Sequence, residues 1–175
     1  MAKVLPQSFF RRPALVVASE LLGKFLVRQQ AGGNVARMIT EVEAYIGPHD
    51  LASHSSRGRT ARNEAMFLPG GAWYVYFVYG MHWMLNIVTD GRDYPSAILI
   101  RGVDGVTGPG RVAKFFAVDK QLYGKQATKK TGLYIEDWGI VVPTKNLIRS
   151  ARIGVDYAGP IWSQKKYNYK LKIRN

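Results

Sequence analysis

Residues 73–79 form an unbroken run of aromatic and β-branched residues, Trp-Tyr-Val-Tyr-Phe-Val-Tyr. These residue types favour extended structure, and a second run, residues 82–88, follows after a break at Gly80. Two strands with so short a connection pair antiparallel, because a parallel pair needs a crossover of about a dozen residues or more. The chain is therefore predicted to contain a β-hairpin that turns at Gly80.

Further strand and helix patterns lie on both sides of this hairpin. Strand patterns cover residues 25–28, 35–45, 97–101, 133–135, 140–142 and 152–155, and helical patterns cover residues 13–22, 63–67 and 111–117. Strands joined by short turns, with few helices between them, favour an antiparallel sheet. The sequence predicts an α+β fold with one domain over residues 1–175. Its sheet is expected to be curved, mostly antiparallel and partly barrel-like, with a few helices and a protruding aromatic hairpin.

The chain is strongly basic. It carries 25 Lys and Arg against 12 Asp and Glu, which gives a formal net charge of +13. The excess is concentrated in residues 101–175, which hold fifteen basic and five acidic residues. Such an excess is typical of proteins that bind a polyanion, and nucleic acid is the first candidate. On charge alone, a merely soluble basic protein or a ribonucleoprotein component is the alternative.

Several kinds of chemistry are excluded by composition. The chain has no cysteine, which removes disulfides, thiolate catalysis, iron–sulfur clusters and Cys-ligated zinc. His49, His54 and His82 lack the i, i+4 spacing of a helical zinc site, and no GxGxxG or P-loop motif occurs. No stretch is apolar enough to span a membrane, and the first residues do not resemble a signal peptide. We expect an intracellular protein without metal, cofactor or membrane partner.

Two glutamates stand at alternate positions in the strand at residues 35–45. Alternation predicts that four side chains share one face of this strand: Ile39, Glu41, Glu43 and Tyr45. A carboxylate on a partly apolar face is costly to bury without partners or a use, so this face is a candidate catalytic site. In the alternative interpretation both glutamates are structural and pair with arginines such as Arg37 or Arg101.

Tyrosines are dense in the strand at residues 73–79. Tyr74 and Tyr76 share one face, and each hydroxyl needs a hydrogen-bond partner when it is buried. Tyrosine rings suit stacking on bases, and Tyr79 beside the turn at Gly80 is placed to project as a wedge. A sandwich strand with tyrosines at its rim is the alternative.

An arginine-rich loop and a gap in the lysines complete the pattern. Arg57, Arg59 and Arg62 are mixed with Ser, Gly and Thr, a composition that suits phosphate contacts, although a solvated surface loop is equally compatible. No lysine lies between Lys24 and Lys114, the interval that holds all these candidates. A Schiff-base mechanism needs an amine at the site, so the gap favours hydrolysis by an activated water.

In combination these features resemble the alkyladenine (3-methyladenine) DNA glycosylase family of the mammalian type. The matching blocks, in order, are Ala-Ser-Glu-Leu-Leu-Gly-Lys (18–24), Ile-Thr-Glu-Val-Glu-Ala-Tyr-Ile-Gly-Pro (39–48), His-Ser (54–55), Thr-Ala-Arg-Asn (60–63), Met-Phe (66–67), Gly-Ala-Trp-Tyr-Val-Tyr (71–76), Tyr-Gly-Met (79–81), Asn-Ile (86–87), Leu-Ile-Arg (99–101), Gly-Pro-Gly (108–110) and Arg-Ile-Gly-Val (152–155). They cover most of residues 10–157.

The resemblance implies a role for each matching residue. Glu43 is expected to activate water for attack at C1′, and Arg101 to help hold that water. The flipped base is expected to lie between Tyr45, His54 and Tyr76, while Asn86 excludes guanine by crowding its exocyclic amine. Tyr79 is expected to fill the vacated minor-groove space. Independently of the resemblance, the basic charge and the arginine-rich loop lead us to expect that the DNA backbone contacts four arginines: Arg57, Arg59, Arg62 and Arg111.

The implied partner is double-stranded DNA that contains damaged purines, and the protein is expected to act as a monomer. We expect it in the cytoplasm, at the nucleoid, of a bacterium or in the nucleus of a eukaryote. Its expected activity is monofunctional hydrolysis by a DNA-3-methyladenine glycosylase, without a lyase step.

The chain departs from the family pattern in two places. Only residues 102–107 remain of a longer family segment that contains an extra helix, and the Lys- and Tyr-rich end from Ile161 matches poorly. DNA affinity, turnover and lesion range depend on these regions, and the basic end is a candidate for compensating phosphate contacts. The main alternative function is a non-catalytic binder of damaged or structured nucleic acid. An RNA- or ribosome-associated β-rich domain is a second alternative.

Overall fold

A computed structural model describes residues 2–172 of the chain. In this range the α-helices are α1 (Gln7–Phe10), α2 (Ala14–Leu21), α3 (Pro109–Phe115) and α4 (Gly159–Ser163). The strands are β1 (Lys3–Val4), β2 (Phe25–Gln30), β3 (Gly33–Tyr45), β4 (Trp73–Val78), β5 (His82–Val88), β6 (Ala97–Val103), β7 (Val106–Thr107), β8 (Leu133–Asp137), β9 (Leu147–Ser150) and β10 (Asn168–Leu171). Within residues 2–172 no helix combines the length and the apolar character needed to cross a membrane.

All strand pairings in the described range are antiparallel. The main path through the sheet runs β1-β8-β2-β3-β6-β5-β4, while β7 pairs with β6, and β10 pairs with both β3 and β9. The path does not close on itself, so the sheet is open. The α+β fold with a mostly antiparallel sheet that the sequence predicts is confirmed.

The main core lies between helix α2 and the inner face of the sheet. Helix α2 begins after Pro13 and buries Val17, Ala18 and Leu21. It ends before Gly23, whose φ of +84° is a conformation that glycine adopts readily and that strains other residues. Trp73 at the start of β4 is fully buried, and its indole N–H donates to the carbonyl of Leu133 at 3.0 Å. Full burial of a large apolar side chain contributes about 1.5–3 kcal/mol. This packing fixes the start of β4 and so the direction of the aromatic hairpin.

The aromatic hairpin forms as predicted. Val78 pairs with His82, and the amide of Met81 donates to the carbonyl of Val78 at 3.0 Å. The two residues at the turn, Tyr79 and Gly80, have φ values of +52° and +62°, and positive φ at both central positions is typical of a type I′ turn. The turn leaves the Tyr79 side chain 90% exposed at the tip.

Strand β3 does not keep the simple alternation that the sequence suggests. Its pairing with β6 shifts register between Ile39 and Glu41 and again between Glu41 and Val42. A register irregularity of this kind changes which face the following side chains occupy. Ile39 consequently lies in the main core with Val42, so the prediction that it shares a face with Glu41, Glu43 and Tyr45 is wrong.

Two of the shorter strand predictions are also wrong. Residues 140–142 are irregular, and residues 152–155 form a turn in which Gly154 has φ of +74°. Strands β9 and β10, which the sequence analysis did not find, lie in the basic end of the chain. Their charged residues interrupt the apolar alternation by which a strand is recognised. Strand β10 pairs with β3, which places Asn168 opposite Glu43.

The shortened segment after Arg101 folds as a tight hairpin. Gly102 pairs with Thr107 and Val103 with Val106, which joins β6 to β7 around Asp104 and Gly105. Gly105 has φ of +76°, a conformation that glycine adopts at little cost. Helix α3 follows directly after Gly108, and its first residue, Pro109, lies at the end of this short connection.

Candidate active site

One cavity of about 290 Å³ opens beside the aromatic hairpin. Its volume lies near the lower limit of about 300 Å³ for small-ligand pockets, a size that suits a single base-sized group. The seven residues to which the sequence analysis assigned catalytic, base-binding or wedge roles all line it: Glu43, Tyr45, His54, Tyr76, Tyr79, Asn86 and Arg101. Met84 and the segment from Ile153 to Val155 also line the wall.

Glu43 is fully buried at the wall of the cavity, and its carboxylate is surrounded by donors. Oε1 accepts the Ile153 amide at 2.8 Å and the Asn168 side-chain amide at 3.2 Å, and Arg101 Nε lies 3.5 Å away. Oε2 accepts the Tyr45 hydroxyl at 2.9 Å. These contacts offset the cost of burying the charge. A carboxylate oxygen has two lone pairs, and within residues 2–172 Tyr45 is the one hydrogen-bond donor to Oε2, so the second lone pair has no protein donor.

Glu41 is the structural partner of Glu43. Its Oε1 accepts Arg101 Nε at 3.3 Å and the Asn168 amide at 2.9 Å, and Lys170 Nζ lies 3.8 Å from Oε2. Pairing with Arg101, which the sequence analysis gave as the structural alternative, is thus observed for both glutamates. Arg37 forms no ion pair with either glutamate, and its guanidinium lies 5.3 Å from the centre of the Phe115 ring. Glu43 differs from Glu41 in that it lines the cavity.

Tyr45 stays protonated in this setting. Burial, with the neighbouring Glu43 carboxylate as the next cause, raises the pKa of Tyr45 well above its ordinary value. The phenol can therefore act only as a donor to Glu43 at neutral pH, which fixes both the carboxylate and the ring.

The opposite wall is aromatic. The rings of His54 and Tyr76 meet edge to face, with centroids 4.6 Å apart and an interplanar angle of 73°. His54 Nδ1 lies 2.8 Å from the Tyr74 hydroxyl. Partial burial, followed by the charge of Arg62, lowers the pKa of His54. The imidazole is therefore neutral at neutral pH, and the positive charge beside this wall is that of Arg62, whose guanidinium lies 5.9 Å from the centre of the Tyr76 ring.

Asn86 lies on β5 and lines the cavity. Its Nδ2 donates to the backbone carbonyl of Tyr74 at 3.1 Å, and the side chain is buried. This hydrogen bond fixes the amide group against the neighbouring strand. A group that occupied the cavity would meet a rigid polar side chain at this point.

The comparisons with known proteins show the family to which the chain belongs. Residues 8–107, more than half of the chain, match the profile of the methylpurine-DNA glycosylase family. The chain belongs to the methylpurine-DNA glycosylase family. The family assignment and the prediction of a DNA-repair glycosylase, made from the sequence, are confirmed.

Relatives in this glycosylase family align along nearly the whole chain. A provisionally named 3-methyladenine DNA glycosylase of Myxococcus xanthus is 42% identical over 98% of this chain and 90% of its own length. Proteins with the same name from Methanocella arvoryzae and Bdellovibrio bacteriovorus are 42% and 40% identical, and each alignment covers 89% of this chain. The two alignments cover 86% of the Methanocella arvoryzae protein and 89% of the Bdellovibrio bacteriovorus protein.

The sequence analysis did not predict a buried ion pair that lies next to the cavity residue Tyr45. Arg152 and Asp50 are both fully buried and form a bidentate pair, with N–O distances of 2.5 and 2.8 Å. Arg152 also donates to the carbonyl of Ala44 at 2.9 Å, and its guanidinium lies 4.7 Å from the centre of the Tyr45 ring. The pair ties the loop after β3 to the segment that supplies the Ile153 amide to Glu43. The matching block at residues 152–155 was the only sequence signal for it.

The four arginines assigned to the DNA backbone differ in their surroundings. Arg57 and Arg111 are exposed. Arg62 is exposed as well, and its Nη2 donates to the carbonyl of Phe77 at 3.3 Å. Arg59 is engaged by carboxylates, because Nε donates to Glu64 at 2.8 Å and Nη1 to Asp93 at 3.0 Å.

Proposed function

We propose that this glycosylase hydrolyses the N-glycosidic bond of alkylated or deaminated purines in duplex DNA. The substrates are 3-methyladenine, 7-methylguanine, hypoxanthine and ethenoadenine. One observation carries the proposal: the fully buried carboxylic side chain of Glu43 lines an aromatic cavity beside a hairpin whose turn exposes Tyr79. A base cannot reach such a cavity from within the duplex, so the lesion is rotated out of the stack.

Glu43 acts as the general base. As the bond between C1′ and the purine nitrogen breaks, the sugar becomes oxocarbenium-like, and the carboxylate stabilises this positive charge. The lone pair left on Oε2 takes a proton from water, the water oxygen bonds to C1′, and the purine leaves with the electron pair of the broken bond. A purine alkylated at N3 or N7 is cationic in DNA and therefore leaves as a neutral base. Arg101, 3.5 Å from Glu43, is the residue assigned to hold the water.

The cavity walls select the base. A cationic purine is attracted to the faces of the electron-rich rings of Tyr45, Tyr76 and neutral His54. The buried amide of Asn86 crowds the exocyclic amine that distinguishes guanine, so undamaged guanine is disfavoured. Neutral lesions such as hypoxanthine are attracted less strongly to the rings, and we expect them to be released more slowly.

Hydrolysis is favoured over a lyase mechanism. A lyase forms a Schiff base through an amine, and the residues that line the cavity include no lysine. The enzyme acts as a monomer in this proposal. Its DNA substrate places the enzyme at the nucleoid of a bacterium or in the nucleus of a eukaryote.

Single-turnover assays on duplexes with one hypoxanthine or one ethenoadenine test this proposal, with methylated genomic DNA as the cationic substrate. We expect the free base and an intact abasic strand that breaks only after alkali. Borohydride in the reaction should trap no covalent protein–DNA adduct. Strand cleavage without alkali, or a trapped adduct, would contradict the hydrolytic mechanism.

The wedge role of Tyr79 predicts a separation of activity from stability. Tyr79→Gly should slow excision more for a lesion in a well-stacked pair than for the same lesion in a mismatch, because mismatched bases are extruded more easily. The free energy of unfolding should stay within about 1 kcal/mol of wild type, because glycine relieves the left-handed strain at this position. Equal slowing on both duplexes would argue against a wedge. Urea denaturation supplies the stability measurement.

The arginines should differ in their contribution to backbone binding. Arg62→Ala should reduce the slope of log K against log salt by about one, as expected for one lost phosphate contact. Arg59→Ala should reduce it less, because the Arg59 guanidinium is already neutralised by Glu64 and Asp93. Anisotropy titrations of a labelled lesion duplex over a range of salt concentrations measure both slopes. A larger effect for Arg59 would mean that its carboxylate pairs open on binding.

A further inference from the structure

Asn168, in the part of the chain that matched the family pattern least, reaches both glutamates. It lies directly opposite Glu43 in the β3–β10 pairing, and residues that face each other in this way extend to the same side of the sheet. Its side chain is buried, with 2% exposed. The position is set by the register of β10.

The Asn168 side-chain amide has two hydrogens, and both have a carboxylate acceptor. Nδ2 lies 2.9 Å from Oε1 of Glu41 and 3.2 Å from Oε1 of Glu43. A carboxamide nitrogen offers two donors and no more, so its capacity is fully used. Arg101 contacts the same two oxygens, at 3.3 and 3.5 Å. The two carboxylates are therefore bridged by Asn168 and by Arg101.

Two neighbouring carboxylates in a buried site tend to share one proton, because each charge opposes ionisation of the other. A donor that bonds to both ionised groups opposes this sharing. We propose that Asn168 is a positioning residue that keeps Glu43 ionised and oriented as the general base by donating one amide hydrogen to each glutamate. This inference rests on the proposed function of Glu43.

The other groups around the carboxylates come from every neighbouring element. The titratable and charged side chains that face Glu43 or its partner Glu41 are Tyr45 on β3, Arg101 on β6, Tyr76 on β4, Lys170 on β10, and Arg152 and Tyr157 in the segment after β9. Arg101 and Arg152 remain charged throughout the accessible pH range. His54 also lines the cavity and is common to every variant compared below, so a difference between the pH profiles of two variants is assigned to the side chain that was changed.

The test is the pH profile of single-turnover excision from an ethenoadenine duplex. Asn168→Leu has a similar volume and no donor, and its acid limb should move up by about one pH unit or more, since a charge-assisted hydrogen bond is worth at least that much. Excision at the acidic end then slows by about ten-fold or more, and recovers towards wild type at alkaline pH. Asn168→Ser keeps one hydrogen-bond donor, so its acid limb should lie between those of wild type and Asn168→Leu.

Two further variants separate this role from a general loss of structure. Tyr169→Phe changes the neighbouring buried residue of β10, which lies in the core, and should leave the profile unchanged. The double variant Asn168→Leu/Glu41→Gln removes the second carboxylate and should move the acid limb back towards wild type. A rate that falls by the same factor at every pH, or a profile that superimposes on wild type, would overturn the inference. If Asn168→Leu does not fold, the Asn168→Ser profile decides by the same criteria.

These outcomes remain distinct from a failure of the proposed function. An active wild type whose Asn168 variants show no pH-dependent change defeats this inference alone. A wild type that binds the duplex and releases no base defeats both.

Discussion

Glu43→Gln is expected to slow base release by about 10²–10⁴-fold, the usual contribution of a general base, while binding to lesion DNA is retained. The side chain keeps its volume but can no longer take a proton from water. It also loses the negative charge that, in the proposed mechanism, stabilises the developing oxocarbenium ion beside the cavity in which Glu43 is buried. Single-turnover rates on an ethenoadenine duplex measure the chemical step, and anisotropy on the same duplex measures binding.

Glu41→Gln provides the matched control. The same change is made two residues away, on a carboxylate that shares Arg101 and Asn168 with Glu43 but does not line the cavity. Its excision rate is expected to stay within about ten-fold of wild type, as for a group that does not transfer the proton. If Glu41→Gln is the more damaging change, the general base is misassigned.

Arg152→Met is expected to lower the free energy of unfolding by about 3–5 kcal/mol, because it leaves the buried Asp50 carboxylate without its partner. Asp50 would keep its hydrogen bonds from the amides of Ile46 and Ala52, at 3.1 and 3.0 Å, but would lose both guanidinium contacts. Urea denaturation of the purified variant gives the value. Base release should fall as well, because the anchor of the Ile153 amide is lost.

The exposed ion pair between Arg59 and Glu64 is the control for this prediction. Glu64→Gln removes a pair that lies in solvent, and no measurable change in unfolding is expected. The double variant Asp50→Asn/Arg152→Met should cost less than the sum of the two single changes, because no buried charge is left unpaired. Additive costs would show that the two buried side chains stabilise the fold independently.

The hairpin was accessible from sequence because it rests on local information, and the residues assigned to the cavity were supplied by the resemblance to the family. The residue types at 73–79 favour a strand, Gly80 permits the turn, and the family motifs name the residues that come together around Glu43. The faces of Tyr74 and Tyr76 follow from alternation within one regular strand. No long-range pairing is needed for any of these predictions.

The rest depended on contacts between distant parts of the chain. The Asp50–Arg152 pair joins residues 102 positions apart, and Asn168 reaches Glu43 from 125 positions away. Nothing local marks either contact, since an asparagine in a Lys- and Tyr-rich segment is typical of a surface. The irregular pairing that places Ile39 in the core arises from the match between β3 and β6, and neither strand encodes it alone.

The measurement that tests the central claim most directly is base release from methylated genomic DNA by the wild-type protein, with DNA binding measured on the same samples. We predict that free 3-methyladenine and 7-methylguanine appear in the supernatant and that the DNA gains alkali-labile abasic sites. Binding to the methylated DNA without any released base would contradict the account. The protein would then be a binder of damaged DNA that retains the glycosylase residues without catalysing the reaction.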